Sequence, residues 1–257
     1  MSESEGNFNT EPMTSRNSLR SSIRKGPIIF SDFDGTITQT DVTDQILNEL
    51  AHPSWREVEQ EWVRGAIGSR ECLERQLALV DATREELDSL IDSVPLDPHF
   101  AGFVRFVEDQ RIPFYVVSDG FDYVIRRVLR RSGVNGHLRN GTHLFASSLR
   151  VEGRHLTPLF PHSEPPCEHG CATCKPLIMR QAGAGHDPII FIGDGLSDRF
   201  AVEAANLVFA KRQLLSYCHE KQIDSIGFET FKDIQMVVER YLANQFSQYR
   251  RVTIATH

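Results

Sequence analysis

Four short apolar runs recur along the chain: PIIFSDFDG (27–35), IPFYVVSDG (112–120), PIIFIGDG (188–195) and ANLVFAK (205–211). Runs of this length and composition read as strands buried on both faces. The first three are opened or preceded by proline and close on Asp, Gly or Ser, residues with which a chain leaves a sheet. Helical patterns separate them at 98–110, 121–132, 175–183 and 197–204, and another runs from about 230 to 246. Strands alternating with helices demand a parallel sheet covered on both faces. The spacing therefore predicts an α/β fold, a Rossmann-like parallel sheet covered by helices.

Residues 41–94 interrupt the alternation. They read as consecutive helices at roughly 41–51, 54–65, 69–80 and 83–92, with Thr83 and Glu86 forming a capping box for the last. An all-helical block after the first strand predicts a small cap at 41–94 inserted into a core made of 27–40 and 95–250. Short β-like pieces at 141–160 predict a hairpin. Residues 1–26 are rich in Ser, Asn, Arg and Glu with few bulky apolar side chains, so they are expected to be a disordered tail.

Composition removes several classes of function. In 257 residues, 28 Lys and Arg face 35 Asp and Glu, a net charge of -7. Such a balance, without a basic stripe, leaves no electrostatic footprint for nucleic acid or for an anionic membrane. No apolar run approaches the ~20 residues of a membrane helix. With five cysteines there is no disulfide scaffold, and no apolar segment marks the start as a secretory signal. The expected location is cytoplasmic, with reduced thiols.

In open α/β sheets, ligands bind beyond the carboxyl ends of the strands, so the residues at the strand ends carry the functional reading. The first run ends in Asp32-Phe33-Asp34-Gly35-Thr36. Residues two apart share a face, so both carboxylates are expected close together, where a cation relieves their repulsion. Few hard oxygen ligands favour Mg²⁺. An Asp-Gly turn with solvent-facing acids has the same sequence. The second run ends in Ser118-Asp119-Gly120, where a hydroxyl and the amides opening the next helix form a phosphate-sized pocket, or where Ser118 only caps that helix. Lys175 opens the helix KPLIMRQA, a poor place for a cation unless it faces an anion. The run at 188–195 leads into Gly193-Asp194-Gly195-Leu196-Ser197-Asp198, which brings two more carboxylates to the same edge.

Together, and in this order, the D-x-D-G-T motif at 32–36, Ser118, Lys175 and G-D-G-x-S-D at 193–198 resemble the haloacid dehalogenase superfamily of aspartate-nucleophile phosphotransferases. The resemblance spans about residues 27–235. It implies that Asp32 is the nucleophile of an aspartyl-phosphate intermediate and Asp34 the acid and base. It implies Mg²⁺ on Asp32, the Asp34 carbonyl and Asp194, with Asp198 behind them and Ser118 and Lys175 on the phosphate. The expected partner is a small phosphorylated metabolite. The same motifs serve phosphotransferases, and a non-catalytic phosphate-binding regulator is the alternative of another class.

Within the superfamily the chain is most similar to the phosphoserine-phosphatase-like branch. The segment DFDGTITQTDVTDQIL and the CxxCKP sequence at 171–176 are similar, more narrowly, to 2-hydroxy-3-keto-5-methylthiopentenyl-1-phosphate phosphatases. Phosphoserine phosphatases carry Glu nine residues after the nucleophile, where this chain has Asp41. They also carry a cap arginine that grips the substrate carboxylate, and here Gln76 takes that place. Phosphoserine therefore loses its bidentate partner. Arg64, Arg70 and Arg75 are candidates for another anionic group, or solvated cap surface. Cys167, Cys171 and Cys174, with His162 and His169 nearby, have the ligand types of a structural Zn²⁺ clip; buried reduced thiols or a redox-labile pair are the other readings.

Overall fold

The computed structural model describes residues 25–131, 144–163 and 167–254. At the first described residue, Lys25, the backbone bridges to His186. The tail expected at 1–26 lies, up to residue 24, outside the described residues.

The four apolar runs are strands of one seven-stranded sheet. They become β1 (Ile28–Ser31), β2 (Phe114–Phe121), β5 (Ile189–Gly193) and β6 (Leu207–Ala210). The expected hairpin is β3 (Leu144–Glu152) with β4 (His155–Leu159), and a two-residue β7 (Ile226–Gly227) closes the far edge. The strand order is β4-β3-β2-β1-β5-β6-β7, parallel throughout except for β3 with β4. β1 lies in the middle, with Ile29 opposite Phe114 on one side and Ile190 on the other.

Alternation along the strands feeds two apolar layers. Ile29, Val116, Ile190 and Ile192 face α5 (Phe100–Asp109) and α9 (Phe231–Ile254), where Phe100 and Phe231 rings meet edge-on at 5.0 Å. Ile28, Phe30, Val117 and Phe191 face the other way, onto Ile178 and Met179 of α7 (Lys175–Ala182) and Leu214 of α8 (Arg212–Lys221). Strands buried on both faces have no polar face, which is why the runs read as continuous apolar segments.

The block after β1 is helical as expected: α1 (Val42–Leu50), α2 (Trp55–Val63), α3 (Ser69–Leu77) and α4 (Arg84–Ser93). The Thr83–Glu86 capping box is formed, with Glu86 N–H on Thr83 Oγ1 (3.2 Å) and Thr83 N–H on Glu86 Oε2 (2.7 Å). Trp55, Leu73, Leu77 and Leu87 join the same apolar cluster as the sheet. α4 also leans on α6 (Asp122–Arg131) through Arg127, which pairs with Asp88 (3.0 Å) and Asp92 (2.7 Å).

Three features depart from the sequence reading. The helix expected at 197–204 is two 3₁₀ turns, Leu196–Asp198 and Ala201–Ala204, and the Asp198 side chain folds back onto the Asp194 and Gly195 amides. α8 and β7 were not anticipated, since RQLLSYCHEK buries only Leu214 and Cys218 and gives a weak periodic signal. β2 continues through Ser118 to Phe121, with a register shift against β3 between Val117 and Phe121. Ser118 therefore lies in an irregular strand end and does not cap α6.

Candidate active site

A cleft of about 280 Å³ opens at the carboxyl edge of the sheet, over β1 where the chain passes to β2 on one side and β5 on the other. This is the topological switch point at which open α/β sheets bind ligands. Its lining includes Asp32, Asp34, Ser118 and Asp194 from the core and Asp41, Glu59 and Gln76 from the helical block.

The turn after β1 aims the first two acids. Asp32 N–H still donates to the Ile192 carbonyl (2.8 Å), so Asp32 leaves the sheet from a fixed position. The amides of Thr36, Ile37 and Thr38 then all turn back onto the Phe33 carbonyl (2.9–3.2 Å). Gly35 permits that turn with φ +68°, and a Cβ there would overlap the Asp194 carboxylate.

Carboxylate oxygens of Asp32, Asp194 and Asp198 lie within 4.8 Å of one another, all three side chains buried. Lys175 enters from the start of α7, only 2% exposed, with Nζ 2.8 Å from Asp32 Oδ1 and 2.6 Å from Asp198 Oδ1. The lysine at a helix N-terminus does face anions. Burial opposes its charge, yet Asp198, Asp32 and Asp119 hold its pKa well above the ordinary lysine range. Asp198 is used up at both ends: Oδ1 takes Lys175, and Oδ2 takes the N–H groups of Asp194 (3.0 Å) and Gly195 (3.2 Å). Thr36 Oγ1 donates to Asp194 Oδ1 (2.8 Å), and Arg212 approaches Oδ2 (3.1 Å).

Burial and then mutual repulsion raise the pKa values of Asp32 and Asp194. Hard oxygen donors crowded beyond what one lysine neutralises are what a small divalent cation relieves, so this donor set fits Mg²⁺. Asp34 stands apart from the three. Its carboxylate accepts the Val42 N–H (3.1 Å) and the Thr43 hydroxyl (3.5 Å) at the start of α1. Burial, then Asp41, then Asp32 push its pKa well up. Asp41 is the N-cap of α1, accepting the Asp44 N–H at 2.9 Å. Its carboxyl is pushed up to about 7, by the protein crowded around it and then by Asp44, although cleft water still reaches it.

Ser118, 1% exposed, lines the cleft and accepts the Gly120 N–H at 3.0 Å. Gln76 is 2% exposed and donates from Nε2 to Glu59 Oε2 (2.8 Å). None of Arg64, Arg70 and Arg75 lines the cleft. Arg75 is paired with Glu61 (2.7 Å) and Glu71 (3.3 Å), and Arg70 lies over the Phe160 ring. Sequence reasoning missed Asp44, Glu59, Trp62 and Arg212. Arg212 had a visible signal, a Lys-Arg pair closing the fourth apolar run; the cap residues had none, because helical periodicity does not say which polar side faces a cleft.

The cysteine loop does not bear out the zinc reading. Tetrahedral Zn–S bonds of ~2.3 Å require sulfurs about 3.8 Å apart. Among the described residues the three aspartates are the only group of three ligand atoms all within 4.8 Å of one another, and although the Cys167 thiol neighbours those of Cys171 and Cys174, the cysteines do not complete such a group. The two imidazoles lie against rings, His162 edge-on to Phe145 and His169 stacked on Phe200. The loop instead joins the helical block to the core. Arg70 N–H donates to the Gly170 carbonyl (3.1 Å), Ala172 N–H to Ser69 Oγ (3.0 Å) and Thr173 N–H to Asp119 (2.9 Å).

Comparison with known proteins places this arrangement in a family. The model of the haloacid dehalogenase-like hydrolases matches residues 29–203. A 2-hydroxy-3-keto-5-methylthiopentenyl-1-phosphate phosphatase of Exiguobacterium sp. is 30% identical over 80% of this chain and 94% of its own. One of Bacillus velezensis is 29% identical over 83% and 90%. A phosphoserine phosphatase solved as a phospho-aspartyl intermediate analogue superposes with a TM-score of 0.64 at 19% identity, over 83% of this chain and 99% of that one. Among the described residues no helix is long and apolar enough to cross a membrane. With acids, hydroxyl, lysine and acids gathered at one sheet edge and the family model matched over residues 29–203, the protein belongs to the haloacid dehalogenase-like hydrolases.

Proposed function

We propose that the protein is a Mg²⁺-dependent phosphatase of a small phosphorylated metabolite, working through an aspartyl-phosphate on Asp32. The observation that carries this reading is the Asp32 carboxylate on the cleft floor, buried, ion-paired to Lys175 and beside Asp194 and Asp198. Asp32, Asp194 and the Asp34 carbonyl would hold Mg²⁺, which lessens the repulsion between a carboxylate nucleophile and a phosphate dianion. Asp198 orients Lys175 and the turn that carries Asp194. Lys175 and the Ser118 hydroxyl bind phosphate oxygens as Asp32 attacks phosphorus.

The leaving oxygen takes a proton from Asp34. Its raised pKa suits a proton donor, and the Val42 and Thr43 contacts hold it on the leaving-group side. Asp34 then removes a proton from the water that cleaves the acyl phosphate. The block at 41–94 acts as a cap over this floor, excluding water and reading the leaving group with Asp41 and Gln76. The relatives near 30% identity favour one second reading, the methylthiopentenyl phosphate named for them.

The test is phosphate release from p-nitrophenyl phosphate and a panel of metabolite monoesters with Mg²⁺. Asp32→Asn is expected to abolish release, by at least about a thousandfold, and Asp34→Asn to slow it by about 10²–10⁴-fold. Undiminished release by Asp32→Asn overturns the assignment of the nucleophile.

A further inference from the structure

The cleft has two ends of unlike character. At the floor sit Lys175 and the acids that Mg²⁺ would neutralise. On the other side the cap presents carboxylates: Asp44 from α1 and Glu59 from α2, beside Trp62, Leu73 and Gln76, with Asp41, the N-cap of α1, between them and Asp34. No cap cation answers them, since Arg64, Arg70 and Arg75 are outside the lining. Arg212, at the cleft rim, is already spent on Asp194 (3.1 Å) and on the carbonyls of Gly35 (3.1 Å) and Gln39 (2.7 Å).

Hydrogen bonding points the same way. Glu59 Oε2 takes Gln76 Nε2 (2.8 Å) and the Cys72 thiol (3.8 Å). With its amide nitrogen committed, Gln76 has its amide oxygen left as an acceptor with no partner among the described residues, on a residue 2% exposed that borders the cleft. Glu59 Oε1 likewise has no partner among the described residues. The wall thus offers acceptors and negative charge, with Trp62 and Leu73 as apolar surface between them. A neutral polyol brings donors but leaves the acids repelling one another. A carboxylate adds to that repulsion and meets no guanidinium. An alkylammonium supplies donors and charge together, and an aromatic face adds to its binding.

On this basis, and resting on the phosphatase reading above, we propose that the substrate is the phosphate monoester of a short amino alcohol without a carboxylate. Its protonated amine sits against Glu59, Asp44 and the Gln76 amide oxygen. The phosphate is held at the floor and the amine at the cap, so one ligand spans the two ends and helps hold the cap over the core. The discriminating residues are the cap's own, and they are separate from the groups that do the chemistry.

The experiment measures kcat/KM, with Mg²⁺, for matched esters: O-phosphoethanolamine, 2-hydroxyethyl phosphate, O-phosphoserine and the methylthiopentenyl phosphate. Asp32-dependent release from p-nitrophenyl phosphate serves as the reference. The amine ester is expected to exceed its hydroxyl isostere and O-phosphoserine by tenfold or more. Glu59→Gln and Asp44→Asn are expected to bring the amine-to-hydroxyl ratio toward one, mainly through KM. Release of p-nitrophenol with no preference for the amine, or with the methylthiopentenyl ester ahead of it, overturns this proposal and leaves the phosphatase standing. Equal loss on both isosteres in Glu59→Gln and Asp44→Asn shows a structural role and overturns it too. Inertness toward every ester overturns both readings.

Discussion

Asp41 does two things that oppose each other. Its side chain caps α1, which stabilises the helix, and its charge lies near Asp34, Asp44 and Glu59, which does not. Its folded pKa of about 7 stands above the ordinary 3.8, so ionising it costs more in the folded state. The stability at stake is fully present below pH ~4 and is lost as pH rises through ~7. Asparagine is as good an N-cap and carries no charge. Without Mg²⁺, Asp41→Asn is therefore expected to melt higher than wild type at pH 8 and level with it at pH 4, in paired thermal scans. Asp41 was legible in the sequence as an acid near the site, from its place nine residues after Asp32. That it is an N-cap pressed against other acids was only partly legible: Asp44 follows three residues on in α1, but Asp34 and Glu59 come from the turn before α1 and from α2.

At the scale of elements, the important joint is between the start of α3 and the cysteine loop. Gly68 lies against Gly170, and a Cβ on Gly68 would overlap the Gly170 carbonyl. The backbones meet there because neither residue has a side chain, and the neighbouring amides then bond across the joint. The same loop leads directly into α7 and Lys175. Gly68→Ala is expected to push α3 off the loop and shift Gln76 and the cap wall relative to Lys175. Misplacement on the scale of 1 Å costs up to about a hundredfold, so kcat/KM is expected to fall by about tenfold to a hundredfold with the far-UV circular dichroism unchanged. Gly102→Ala, in α5 with only the end of Arg105 nearby at 4.0 Å, is the control expected to leave the kinetics alone. The helices of this block were legible to within a few residues from apolar spacing and from the Thr83 capping box. The joint was not, because two glycines 102 residues apart carry no mark of their pairing.

Over the whole molecule, the site is a balance of charge gathered from distant parts of the chain. Asp32 follows β1, Asp194 and Asp198 follow β5, and Lys175 opens α7 after the cysteine loop; the two strands set the three acids at one edge and the helix start brings the lysine to them. Folding without a divalent cation leaves acids with raised pKa values in that cluster. Mg²⁺ should bind the folded chain and not the unfolded one. At a hundred times its Kd, that stabilises by about 2.7 kcal/mol, a rise of roughly 5–10 °C in Tm for a chain of this size. Differential scanning with Mg²⁺ against EDTA checks this, and Asp194→Asn is expected to erase the difference. The sequence by itself determined the sheet, its helical coverings, the inserted helical block and the acids and lysine of the floor. Those are set by local periodicity, by acids that follow a strand directly and by a lysine at a helix start, and short-range patterns are what a sequence displays. Tertiary structure alone decided that Asp198 is consumed by Lys175 and backbone amides, that the three cysteines do not complete a metal-ligand group, that Arg64, Arg70 and Arg75 do not line the cleft and that the cap's wall of the cleft is acidic. Each of these depends on side-chain direction across contacts between elements far apart in the chain, and neither residue type nor spacing encodes that direction.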